Sequence, residues 1–187
     1  MTTWVLLLAV AGIVVLFVVL YNRLVRDRNR TSAAWSDIDV QLQRRHDLIP
    51  QLVKAVAQYA AYERATIDAV TALRAEAMKT TNVAELGKTE EELSSGVRRL
   101  LAVAEQYPDL KASENFLSLQ KELVETEDYL QFARRYYNGS VRELNTRIET
   151  VPSNLVAGRF GFEHRDYFQK ASDDAANVPL VRFGSVE

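Results

Sequence analysis

The chain has 187 residues, with 23 Lys and Arg against 25 Asp and Glu, two His, four Pro and no Cys. That length supports one modest domain. The formal charge of −2 argues against a nucleic-acid binder held by bulk charge. Without Cys there are no disulfides, no thiolate nucleophile, no Cys-ligated zinc and no lipidated cysteine anchor. Only seven Gly favour helices over sheet.

Trp4 to Leu20 is a run of 17 residues without a charged, amide or hydroxyl side chain, and 13 of them are Val, Leu, Ile or Phe. At ~1.5 Å per residue, Thr2 to Tyr21 spans about 30 Å, the thickness of a bilayer's hydrocarbon core. Trp4 and Tyr21 bracket the run where amphipathic rings prefer the headgroups. A cleaved signal peptide is the competing reading. It requires a basic start and a small-residue cleavage site, and neither is present. Residues 1–22 are therefore expected to anchor the chain in the lipid bilayer. Arg23, Arg26, Arg28 and Arg30 follow at once, and the positive-inside rule then places the rest of a single-pass protein in the cytoplasm.

Residues 23–170 read as an antiparallel bundle of long helices, because apolar residues recur at intervals of three and four. Leu24, Thr31, Trp35, Ile38 and Leu42 form one stripe, interrupted by Arg28. Asp47 reads as an N-cap with Pro50 in the first turn of a new helix, which predicts a break near Asp47–Pro50. The second helix carries Ile49, Leu52, Val56, Ala60, Ile67, Val70 and Leu73. Residues 79–88 form a polar interruption, and Thr89 with Glu92 fits a capping box that opens the next helix. Pro108 closes that helix. The longest element starts near Asp109 or Ser113 and runs to about Thr150, with a seam from Phe116 through Leu123, Leu130 and Tyr137 to Leu144.

Glu63 falls on the apolar stripe, and a buried carboxylate needs a partner. Arg134 and Arg135 are the nearest chemical candidates, with Asn138 and Asn145 a heptad apart as further members of a polar layer. That layer either fixes helix register or forms a notch for a partner. Gly139 reads as a close helix approach or a kink. Arg44, Arg45, His46 and Asp47 make a charged cluster, read as a solvated helix end. Neither His has a second imidazole at ligand spacing, and no nucleophile elbow or phosphate loop occurs, so no enzyme, metal, cofactor or small-molecule substrate is expected. Phe160, Phe162, Tyr167 and Phe168 crowd nine residues, as a cap on the core or as a docking patch. Residues 171–187 read as a flexible tail whose Val178–Phe183 segment could add to a partner's sheet edge.

Three stretches of the first half, Tyr21 to Val25, Ala34 to Leu42 and Arg44 to Val53, resemble the LemA family. Arg134 to Asn138, Asn145-Thr146, Pro152 to Ala157 and Phe160 to Phe162 continue the resemblance in order. It implies an N-terminal membrane helix and a helical bundle in a bacterial inner-membrane protein without an established enzymatic activity, in a family that includes a magnetosome membrane component. Some relatives carry a lipoprotein cysteine, which this chain lacks. The expected role is a membrane-anchored scaffold or adaptor for protein partners not yet identified, with self-association as a further option. A sensor of membrane or envelope state is one alternative. A hydrolase or transferase using Glu63 with Arg44, Arg45 or His46 is the other.

Overall fold

The computed structural model describes residues 1–60 and 62–168, and these are all-α. The expected tail over 171–187 lies outside the described residues. The elements are α1 (Thr2–Tyr59), α2 (Arg64–Ala77), α3 (Val83–Ala104), α4 (Pro108–Lys111), α5 (Glu114–Glu149) and α6 (Ser153–Phe160). The N-terminal part of α1 has a mean hydropathy of 3.0 over 18 residues, none of it buried, and it is long and apolar enough to cross a membrane.

α1 and α5 form the spine. They run antiparallel, as the pairs Asp27–Arg147, Arg30–Glu143 and Arg45–Glu127 show by their falling and rising numbers. Past the apolar run, Arg23 to Tyr59 is about 55 Å of helix, and the 36 residues of α5 are about 54 Å. The two lengths match, so α1 needs no break at Asp47–Pro50. It turns instead at Ala60–Glu63, before α2 folds back.

The expected break fails for a specific reason. Pro50 has no N–H to give to the His46 carbonyl one turn earlier, and an orphaned buried carbonyl is costly. Arg74 Nε, from α2, donates to the His46 carbonyl oxygen at 2.7 Å. A tertiary donor replaces the one that Pro50 lacks, and the helix continues.

The α1 stripe differs from the expected one at two positions, Asp27 for Arg28 and Ala34 for Trp35. Its buried face runs Leu24, Asp27, Thr31, Ala34, Ile38, Leu42, so Asp27 rather than Arg28 is the polar member, and it pairs with Arg147. Trp35 sits half-buried at the edge against Tyr137 and Phe168. The α5 seam is as expected: Phe116, Leu119, Leu123, Thr126, Leu130, Tyr137, Ser140 and Leu144 are buried.

α3 starts earlier than the Thr89 reading placed it. Asn82 is the N-cap, its side-chain oxygen accepting from the N–H groups of Ala84 and Glu85. Thr89 is inside the helix and bonds the Leu86 carbonyl. α2 and α3 pair closely at Gly96, where an added Cβ would lie 3.0 Å from Leu73 Cδ1. Gly139 makes no such approach: nothing lies within 4 Å of a Cβ there, and α5 runs through it. The far end of the bundle is closed by Leu48, Leu52 and Val56 with Val70, Leu93, Leu100, Leu110 and Phe116.

A buried polar layer opening onto an arginine-lined cleft

Among the described residues the carboxylate fully enclosed in the bundle is Glu90, not Glu63. Glu90 follows Leu86 by four residues and precedes Leu93 by three, so it falls on the buried face of α3 and is fully enclosed. Its partners come from α1. Arg45 Nη1 donates to Glu90 Oε2 at 3.0 Å, and His46 Nε2 lies 2.8 Å from Oε1. A carboxylate can only accept, so that imidazole nitrogen carries the proton. Arg45 Nη2 donates to Ser94 Oγ at 2.6 Å, and Ser94 Oγ in turn donates to the Glu90 carbonyl. Glu127 of α5 stands 3.6 Å from Arg45 Nη1. Arg45 and His46 are 3% and 5% exposed, so both partners of Glu90 are sealed with it.

Glu63 is half-buried at the start of α2, and no hydrogen bond or ion pair joins it to Arg44, Arg45, His46, Arg134 or Arg135. Arg44 is exposed. The proposed grouping of Glu63 with these residues therefore fails, and the reason is geometric: Glu63 is at the turn that ends α1. The signal for Glu90 lay in the sequence. Extending the Leu93, Val97, Leu100 stripe backward passes through Glu90 and Leu86.

Beside the layer, Glu91, Arg98, Glu127, Gln131, Arg134 and Arg135 line a cleft between α3 and α5, closed at one side by Asn138 and Phe168. Burial pushes the Arg134 guanidinium below its ordinary value, the charge of Glu127 opposing that. Its Nε and Nη2 are buried without a hydrogen-bond partner among the described residues. Its carbon sits 4.8 Å from the Phe168 ring centroid, a cation–π contact. Arg135 is exposed and lies over Phe132. Among the described residues no three His, Asp or Glu side chains converge as a metal site would require.

Asn138 and Asn145 take a role that helix periodicity alone does not reveal. After α6 the chain returns along α5 in extended form, and each carboxamide grips one backbone residue of it. Asn145 donates to the Arg165 carbonyl and accepts from the Arg165 N–H, at 2.9 and 3.0 Å. Asn138 does the same for Phe168, at 3.1 and 2.8 Å. Between them the Tyr137 hydroxyl donates to the Asp166 carbonyl at 2.9 Å. Burial raises the Tyr137 pKa above that of a free tyrosine, against the lowering effect of the Arg165 charge.

The aromatic group splits between burial and exposure. Phe162 is buried with Leu24, Val156 and Ala157, under the Arg28 guanidinium, and Phe168 is buried against Trp35. Phe160 and Tyr167 are exposed. Of the basic group after the apolar run, Arg23 and Arg26 are exposed, while Arg30 bonds the Tyr136 hydroxyl and Glu143. Trp4 is exposed, and Tyr21 packs edge-on against Phe160 and Phe162.

Among curated proteins, the chain is 26% identical to magnetosome protein MamQ 2 of Paramagnetospirillum magneticum, over 93% of this chain and 73% of that protein. It is 29% identical to protein LemA of Metamycoplasma hominis, over 84% of this chain and 72% of that one. MamQ of Magnetospirillum gryphiswaldense is 24% identical over 86% and 68%. The LemA family model matches residues 34–183, which take in the second half of α1, the polar layer, the cleft and both asparagine grips. The chain belongs to the LemA family.

Proposed function

We propose that this protein is a non-enzymatic scaffold, anchored in the bacterial inner membrane by residues 1–22, which presents the cytoplasmic face of its bundle to protein partners. The observation that carries the reading is the α3–α5 cleft. Exposed Arg98 and Arg135 flank half-buried Arg134 along the cleft wall. Such a cleft suits an acidic side chain or a chain terminus of another protein, because guanidinium groups bind carboxylates through paired N–H donors. The sealing of Glu90 by Arg45 and His46 supports a structural layer over a catalytic one: a general base needs access to the proton it takes. The cytoplasmic side rests on Arg23, Arg26, Arg28 and Arg30 beyond the apolar run.

A photo-crosslinking amino acid at Gln131, inside the cleft, tests the role, with the same group at Leu117 as the control. Discrete protein adducts from position 131 that disappear in the Arg98→Ala/Arg135→Ala double variant are expected. Adducts of equal pattern from both positions would sink the cleft as the docking face. Orientation is tested by a single cysteine at exposed Ser118 and a membrane-impermeant thiol reagent. Labelling only after the inner membrane is permeabilised is expected, and labelling before it reverses the orientation.

A further inference from the structure

α6 does not face the solvent as the rest of the bundle does. Its buried side, Val156 and Ala157, packs with Phe162 onto Leu24, and Leu20, Tyr21 and Val25 complete that cluster. Leu20 and Tyr21 are the residues at which the apolar run ends. α6 therefore lies at the level where α1 would leave a bilayer. The Phe160 ring is 4.9 Å from Tyr21 and 5.6 Å from Phe17, one helical turn inside the run. A ring that touches Phe17 shares its depth.

Other apolar side chains of this corner are uncovered. Val151 is 73% and Leu155 72% exposed, and Phe160 is 49% exposed. Val151 and Leu155 belong to no packed core cluster, and with the open face of Phe160 they leave apolar surface on one short corner beside a membrane-spanning helix. Exposed Arg23 and Arg26 follow the apolar run on α1, and exposed Arg159 precedes Phe160 on α6. Apolar residues at the acyl boundary, with basic residues at headgroup level, are the composition of an interfacial membrane element.

We propose that the α5–α6 corner is a second membrane contact: Val151, Leu155 and Phe160 enter the headgroup–acyl boundary of the leaflet from which α1 emerges. The argument rests on reading residues 1–22 as a span, and its occupant is the lipid surface, carrying anionic headgroups. The corner and α1 then hold the bundle at two points, which restricts its rotation about the α1 axis.

The full-length protein, reconstituted in vesicles of phosphatidylcholine and phosphatidylglycerol, tests this with an NBD fluorophore on a single introduced cysteine. Leu155→Cys reports the corner, Val14→Cys the span and Ser118→Cys the distant bundle, and all three positions are exposed in the protein itself. With lipids carrying a shallow doxyl quencher, the label at 155 is expected to be blue-shifted and to lose most of its fluorescence. The label at 14 should respond better to a deep quencher, and the label at 118 to neither. Equal, unquenched spectra at 155 and 118 beside a quenched label at 14 would overturn the corner contact alone. An unquenched label at 14 would overturn the span, and the corner contact with it. A blue shift at 155 without quenching, together with a disulfide between two Leu155→Cys chains, would assign the patch to a second copy of the protein instead.

Discussion

The carboxamide of Asn145 closes a two-bond ring with the backbone of Arg165, and Asn138, seven residues earlier on α5, repeats it with Phe168. A carboxamide offers one donor and one acceptor, the complement of an extended residue's carbonyl and N–H. Asn145→Ala should cost roughly 1–3 kcal/mol, because two backbone groups lose their partners. Limited trypsin digestion should then cut faster after Arg165. Asn145→Asp keeps the acceptor and loses the donor, so it should fall between the two in both unfolding and digestion.

Arg74 and Pro50 should be energetically coupled through the His46 carbonyl. Arg74→Ala removes the only donor that α2 brings to that oxygen and should cost about 1–3 kcal/mol. In a Pro50→Ala background the new backbone N–H can serve the same carbonyl, and Arg74→Ala should then cost less. A double-mutant cycle by urea unfolding checks this, with a coupling of at least about 0.5 kcal/mol expected. Strict additivity would remove the rescue from the account of α1.

Glu90→Ala leaves Arg45 and His46 enclosed without their acceptor and should destabilise the bundle by about 3–5 kcal/mol. Glu63→Ala should change stability by no more than about 0.5 kcal/mol, as for most substitutions outside the core. Denaturant midpoints of the two variants separate the readings directly. Equal losses would return Glu63 to the polar layer.

Alkaline unfolding should carry a contribution from Tyr137. Its folded pKa is raised, chiefly by burial, so between about pH 10 and that higher value the folded state holds more protons than the unfolded one. Stability from this group is complete below about pH 10 and falls as pH rises through the window. Tyr137→Phe, compared with the parent from pH 8 to 11, should lose less stability at the alkaline end. Its tyrosinate absorbance should also lack the latest-ionising component.

Gly139→Ala should stabilise the protein by about 0.5–1 kcal/mol, since the position is helical and open. Gly96→Ala should not share that gain, because its Cβ would meet Leu73 Cδ1 at 3.0 Å and Val70 Cγ2 at 3.4 Å. Thermal midpoints of the two variants should move apart. A lowered midpoint for Gly139→Ala would restore the close-approach reading.

How much of this was legible in the sequence depended on the range of the interaction concerned. The α5 seam could be read because its heptads are local, and residues Phe116 to Leu144 are buried in the expected phase. The break at Pro50 was misread because its rescue is a side chain 24 residues further along the chain, and periodicity carries no record of such a bond. The true turn at Ala60–Glu63 holds neither Pro nor Gly, so no punctuating residue marked it. Placing the start of α3 at Thr89 cut Glu90 away from its own stripe and left Glu63 as the visible carboxylate. The cap at Asn82, with Glu85 three residues on, was the stronger signal. Arg45 was assigned to a solvated end because its neighbour Arg44 is one, and one residue on a helix turns a side chain through about 100°.

α1 contains no joint between the apolar run and the core of the bundle. A flexible tether would let a domain forget the angle of its anchor, and a continuous shaft does not. With about 55 Å of helix beyond the run, a 20° lean of the anchored segment, the average for such helices, displaces the far end by ~19 Å. Leaning is how an overlong span adapts to a thinner bilayer. The sideways position of the Leu48–Val56 end relative to the anchor is therefore coupled to bilayer thickness.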